Sequence, residues 1–313
     1  MTRPAVRNIA ASVRARLLNL ARQRSEDFHV LLTRYAVERL LYRLSQSPHA
    51  SDFVLKGAAL FSVWGSRPYR ATRDLDLLGK GIADVPHLEQ AFREVCVTSV
   101  QDDGIRFLAD TIRGAAIREN QVYGGVRIVL EARLGPARIQ VQIDIRFGDT
   151  VVPPPEMVTF PTILDFPSPQ VSAYPREAVV AEKFQTLVVL GIANSRMRDF
   201  YDLWTLATQF GFSGSLLAES IHSTFERRRT VVPAVIPLAL TQEFYGHDAK
   251  RTQWNAFLRR SMLEEEEITL VRVTSLLETF LMPPALAISN GQTFKMVWLP
   301  GGPWRDRQPE PRA

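Results

Sequence analysis

The sequence predicts an α+β protein in two parts, an α/β half followed by an all-helical half. Three observations carry that expectation. Strand-like alternation and a hairpin signal fall within residues 53–147. Residues 150–175 contain seven prolines and little periodicity. Beyond them the apolar residues recur at helical spacing.

Each element has its own warrant. Residues 5–22 and 26–46 read as helices; in the second, Phe28, Leu31, Leu32, Tyr35, Leu40, Leu41 and Leu44 fall mostly at three- and four-residue steps. Ser25, followed by Glu26 and Asp27, reads as a helix start. Phe53-Val54-Leu55 is a short buried run, Gly57 a turn or close approach, and Ala58–Trp64 a short helix. Asp74–Leu78 alternates like a strand, and residues 84–98 are helical. Residues 122–134 and 137–147 are strands joined by Gly135-Pro136, a hairpin signal. The expected organisation is N-terminal helices (1–50) on a core (51–150), then a proline-rich connecting or irregular covering segment (150–175). A helical domain (176–299) follows, with helices near 176–193, 198–210, 213–228, 249–262 and 268–281, and then a frayed tail (300–313).

Composition excludes several classes. With 313 residues, 46% hydrophobic and 23% charged, the chain can bury a core and is not a disordered polymer. No run approaches the roughly 20 consecutive apolar residues of a membrane span. The opening Met1-Thr2-Arg3-Pro4 lacks an apolar stretch, so a secretory signal is not expected. A single cysteine, Cys96, cannot form a disulfide framework, and no two of the five histidines have metal-ligand spacing. The expectation is a soluble cytoplasmic protein with no membrane partner. Residues 1–50 hold nine arginines against Glu26, Asp27 and Glu38. Such a block faces a polyanion or an acidic partner, or is simply a solvated helix face. Only five of the 38 basic residues are lysines, so Lys56 and Lys183 each merit a reason.

The richest local signal is Arg70-Ala71-Thr72-Arg73-Asp74-Leu75-Asp76-Leu77-Leu78. On a strand, Asp74 and Asp76 share one face and Leu75 and Leu77 the other. Two neighbouring carboxylates repel unless a cation lies between them, and Mg²⁺ suits one or two carboxylates plus substrate phosphates. The competing reading is a solvated strand edge; Glu264 and Glu266 form another such pair within a run of four glutamates, on a solvated helix face. Asp144, in the apolar run Val141–Ile145, faces a cation or polar cleft, or else pairs with Arg146. Three carboxylates on neighbouring strands suit two-metal phosphoryl or nucleotidyl transfer.

In the helical half, Lys183 lies beside Val179, Val180 and Leu187, where it either snorkels to water or reaches a phosphate. Asp199 and Asp202, three apart, share one helix side; Asp199 is near a helix start, where capping or the dipole accounts for an acid.

The ordered set Phe53-Val54-Leu55-Lys56-Gly57, Thr72-Arg73-Asp74-Leu75-Asp76-Leu77, Ile143-Asp144, Ala181-Glu182-Lys183 and Arg198-Asp199-Phe200-Tyr201-Asp202-Leu203 resembles the AbiEii/AbiGii toxin family of nucleotidyltransferases. These are toxin halves of bacterial toxin–antitoxin and phage abortive-infection systems. The resemblance covers roughly residues 6–210 and includes the run from Ile9 through Leu44. It implies a polymerase-β-like nucleotidyltransferase core with flanking helices and a helical C-terminal domain. It also implies Mg²⁺ held by Asp74, Asp76 and Asp144, an NTP co-substrate, Lys183 at the triphosphate and Asp202 as a second essential residue. Nucleotide contacts would involve Lys56, Gly57, Ala58, Ser66, Thr72, Arg73, Lys183 and Asp199.

The turn Lys56-Gly57-Ala58-Ala59 departs from relatives that carry a serine there to hold the triphosphate. Backbone N–H groups, with Lys56 or Ser66, would have to serve instead. The family reading is a Mg²⁺-dependent toxin that transfers NMP to an RNA 3′ hydroxyl, a tRNA acceptor end above all, under an antitoxin encoded nearby. The alternatives are a protein-modifying nucleotidyltransferase and an inactive relative that binds RNA or antitoxin.

Overall fold

The computed structural model describes residues 8–65, 74–117, 124–263 and 268–306. The chain forms two units: one from the residues up to 149 together with 156–174, the other from 150–155 together with 175 onward.

In the first unit, Asn8 caps α1 (Ile9–Arg24) by accepting the Ala11 N–H at 2.9 Å. Ser25 does not start the next helix. It ends α1 in the left-handed conformation, and Asp27 caps α2 (Phe28–Gln46) through the Val30 N–H. Helix α2 is buried almost all round, and its charged residues Glu38, Arg39 and Arg43 are buried as anchors. Arg43 grips the Asp103 carboxylate at 2.7 and 3.0 Å, and the Tyr35 hydroxyl donates to the Asp103 carbonyl. The Glu38 carboxylate accepts the Ile163 N–H, and Arg39 donates to the Pro167 carbonyl. Part of the N-terminal arginine excess is therefore internal structure. Arg16 pairs with the exposed Asp165, and Arg14 lies over the Phe28 ring.

Strand β1 (Phe53–Lys56) leads through the Gly57 turn into α3 (Leu60–Trp64). Then come β2 (Asp74–Gly79), α4 (Val85–Val97), β3 (Ile105–Ile117), β4 (Gly125–Leu134), β5 (Ala137–Phe147), β6 (Glu156–Thr159) and β7 (Gln170–Ala173). They form one mixed sheet in the order β3-β4-β5-β2-β1-β7-β6. Pairs β2–β5 and β1–β7 are parallel; the other neighbours are antiparallel. Helices α1, α2 and α4 pack on one sheet face. There Leu75, Leu77, Ile143, Ile145, Ile128 and Leu130 are at most 1% exposed. At roughly 1.5–3 kcal/mol per buried aliphatic side chain, this layer dominates the unit's stability. The proline-rich stretch is not an irregular cover: it supplies β6 and β7, held by the Glu38 and Arg39 anchors.

The second unit contains α5 (Arg176–Leu190), α6 (Met197–Gln209), β8 (Phe212–Ser213), α7 (Gly214–Arg227), α8 (Gln242–Tyr245), α9 (Asp248–Ser261), α10 (Leu270–Ser289), β9 (Val297–Trp298) and β10 (Trp304–Arg305). Helix α10 does not stop near 281 but runs through Pro283 and Pro284. Pro284 has no N–H to give the Phe280 carbonyl, and the Trp304 indole donates to that oxygen instead, at 3.0 Å. Trp298 similarly donates to the Ala207 carbonyl at 2.7 Å. The tail is therefore not frayed from 300: Trp304 is buried among Phe280, Phe294 and Trp298. Helix α10 has the length and apolarity of a membrane span, yet half of its apolar window is buried, and it packs against α6 and α7.

Candidate active site

The alternation of β2 sets the site. Leu75 and Leu77 enter the core, so Asp74 and Asp76 fall on the opposite face of the sheet. Parallel pairing puts Asp144 of β5 directly beside Asp76, and Gln142 beside Asp74. Antiparallel pairing puts Lys56 of β1 on the other flank of Asp76, and Arg127 of β4 beside Asp144. Four adjacent strands thus carry the row Arg127, Asp144, Asp76, Lys56 at the usual strand spacing of about 4.8 Å.

The two cations act differently. Arg127 Nε and Nη2 donate to the two Asp144 oxygens at 2.8 and 2.7 Å, a bidentate pair. That hydrogen bonding, together with the charges of Asp144, Asp74 and Asp76, raises the basicity of Arg127. The ion pair considered for Asp144 thus exists, with Arg127 and not Arg146 as the partner in contact. Lys56 is buried; its Nζ donates to Asp149 at 3.0 Å and to the Tyr174 hydroxyl at 3.4 Å, and it lies over the Tyr174 ring.

Gly57 follows with φ of +73°, and a Cβ there would lie 2.1 Å from Asp76 Oδ2. Only glycine allows the backbone to pass under that carboxylate. Ala58 next to it is buried. Asp74, Asp76 and Asp144 present hard carboxylate oxygens, the donor type Mg²⁺ takes, from neighbouring register positions of one sheet face. Among the described residues, no three acidic, histidine or cysteine side chains converge on one point, and both Asp144 oxygens are turned to Arg127.

In the helical unit, Lys183 of α5 neither snorkels nor stands alone. Its Nζ lies 2.6 Å from Asp199 Oδ1 and 2.8 Å from Asp202 Oδ2, both on α6. Arg196 holds the other Asp199 oxygen at 2.7 Å. Burial opposes charge on Asp199, but Lys183 and Arg196 outweigh it and hold its carboxyl below the ordinary value. Burial pushes the Asp202 carboxyl well upward, so of the two it takes a proton first.

Of the residues singled out from the sequence, Lys56, Gly57, Ala58, Asp74, Asp76 and Asp144 come together in the first unit. Lys183, Asp199 and Asp202 form one cluster in the second. Ser66, Thr72 and Arg73 lie outside the described residues, as do Glu264 and Glu266. Sequence reasoning missed Arg127, Asp149, Tyr174 and Arg196. Arg127 had a usable signal: counting back equally along both strands from Gly135-Pro136 brings Asp144 opposite Arg127.

A family model described as nucleotidyl transferase AbiEii toxin, type IV TA system, matches residues 39–281. The crystal structure of JHP933 from Helicobacter pylori is similar at 16% identity, over 81% of this chain and 89% of that one, with a TM-score of 0.44. A second H. pylori structure, described as a candidate nucleotidyltransferase, matches at 15% identity over 81% and 92%, with a TM-score of 0.42. No curated protein matches the sequence.

Proposed function

Because the chain belongs to the AbiEii family of nucleotidyl transferase toxins, we propose that it transfers NMP from an NTP to an RNA 3′ hydroxyl with release of pyrophosphate, with Mg²⁺ as cofactor. The acceptor we propose is a tRNA acceptor end, and the cellular control a cognate antitoxin encoded nearby, in the cytoplasm. The observation that carries the chemistry is the register of three carboxylates, Asp74, Asp76 and Asp144, beside a turn that must be glycine.

Asp74, Asp76 and Asp144 would hold Mg²⁺, which supplies charge stabilisation at the reacting phosphate when bound. Gly57 gives the phosphates close access to backbone, in place of the serine that relatives use there. Asp144 accepts the proton of the attacking hydroxyl, once Arg127 no longer holds both of its oxygens. Lys183 would bind phosphate in exchange for its two aspartates, as a compact point charge.

The test is radiolabelled NTP incubated with total RNA and with lysate protein. Label should enter RNA, require Mg²⁺, and disappear with Asp74→Asn/Asp76→Asn. Label in protein would establish the protein-modifying alternative, and no label in either would leave a binding protein without chemistry.

A further inference from the structure

The site face of the sheet carries a second charged feature, well away from the acids. Register opposes Arg106 of β3 to Arg133 of β4, and Arg133 to Arg138 of β5. Three arginines therefore lie in one row across three adjacent strands. They share the face of Arg127 and Asp144, because Val126, Ile128, Leu130, Ala132 and Leu134 alternate into the core. Like charges directly opposed on a sheet destabilise it unless something anionic lies across them. Among the described residues, Glu131, at 2.8 Å from Arg133, is the one carboxylate paired with the row. Arg106 and Arg138 are exposed and have no hydrogen-bond or ion-pair partner among the described residues. An excess of positive charge thus faces solvent in a rigid, register-fixed line.

The position of the row is informative. Arg138 and Asp144 lie on the same face of one strand, six residues apart, a separation of about 20 Å at about 3.3 Å per residue. Gln140 and Gln142 fill the β5 positions between, and the exposed Arg113 lies alongside on β3. The strip from the acids to the arginines is thus polar or cationic along β5, with hydrogen-bond donors throughout. A stacked nucleic-acid strand rises about 3.4 Å per nucleotide, so a strand whose 3′ end lies at the acids would reach the row about six phosphates back.

The geometry points to the Arg106–Arg133–Arg138 row as the docking site for the phosphate backbone of the acceptor RNA. This rests on the acids being the reaction centre. It adds where the acceptor lies: along β4 and β5, with its 5′ side toward the Gly135-Pro136 turn.

The experiment is fluorescence anisotropy with a 5′-labelled single-stranded RNA of about 12 nucleotides, titrated between roughly 50 and 200 mM KCl. Arg106→Gln/Arg138→Gln should weaken binding about tenfold and flatten the logarithmic salt slope by about 1.4, two phosphate contacts' worth on a single strand. Arg106→Lys/Arg138→Lys should keep the parental slope, and the glutamine variant should melt no lower than the parent, since it loses opposed like charges. Parental affinity and slope in the glutamine variant would overturn the inference and leave the row to solvent or to an acidic protein. Asp74→Asn/Asp76→Asn separates this from the reaction itself. That variant should still bind the RNA, and incorporation surviving in it would overturn the reaction centre whatever the arginines do.

Discussion

Arg127 and Asp144 face each other across the β4–β5 pair, and the guanidinium holds both carboxylate oxygens. Without a metal, this pair supplies positive charge to a face that carries three acids. Arg127→Leu should therefore lower the melting temperature in Mg²⁺-free buffer. The side chain of Asp144 is 12% exposed but that of Arg127 is 44% exposed. Solvent screening thus reduces the cost of breaking a buried pair to about 1–2 kcal/mol. Added Mg²⁺ should recover more of the variant's melting temperature than it adds to the parent's. Identical melting curves without Mg²⁺ would show that the pair contributes nothing.

Gly57→Ala should damage both fold and reaction. The new methyl meets Asp76 on a backbone of positive φ, for a cost of about 1–3 kcal/mol. Displacing Asp76 by an ångström should lower incorporation about 10²-fold, the usual scale for such misplacement. A parental rate in a stable Gly57→Ala protein would remove this turn from the site.

Lys183→Met should be far more disruptive than a surface substitution. It leaves Asp199 and Asp202, 1–2% exposed, without their shared cation, at about 3–5 kcal/mol. The informative protein is Lys183→Met/Asp202→Asn, which restores charge balance and should recover most of the melting temperature. It should still fail to incorporate nucleotide. Full incorporation by the double variant would reduce Lys183 to a structural residue.

Glu38 should make stability fall with rising pH. Burial pushes its carboxyl from 4.5 up to about 7, against the pull of Arg39. A carboxyl raised in the folded state supports folding most below the unfolded value; that support is withdrawn as pH rises to about 7 and is constant above. The span corresponds to about 3–4 kcal/mol at 1.4 kcal/mol per pH unit. Urea midpoints from about pH 5 to 7 should fall more steeply in the parent than in Glu38→Gln; parallel curves would rule the titration out.

What was legible in the sequence followed from local periodicity. Asp74 and Asp76 could be placed because Leu75 and Leu77 alternate with them, and the β4–β5 hairpin because Gly135-Pro136 sits between two apolar runs. Strand β3 was not legible: it is an edge strand exposed on both sides in places, and its register shifts between Leu108 and Arg113, which breaks the alternation. Strands β6 and β7 are four residues each, fixed by Glu38 and Arg39 from a helix far back in the chain. Lys183 read as a choice between water and phosphate because its partners lie on the next helix, and contacts between helices leave no trace in one-dimensional spacing.

The chain enters its second unit at 150, returns at 156 to finish the first sheet, and leaves again at 175. A recombination joint at 150, where the prolines begin, would therefore sever the first unit from two of its own strands. It would strip β1 of its β7 neighbour, Lys56 of Tyr174, and Glu38 of its Ile163 partner. Exchange between lineages that preserves this enzyme must join the halves beyond Tyr174, so the portable module is a stretch of gene longer than its composition suggests.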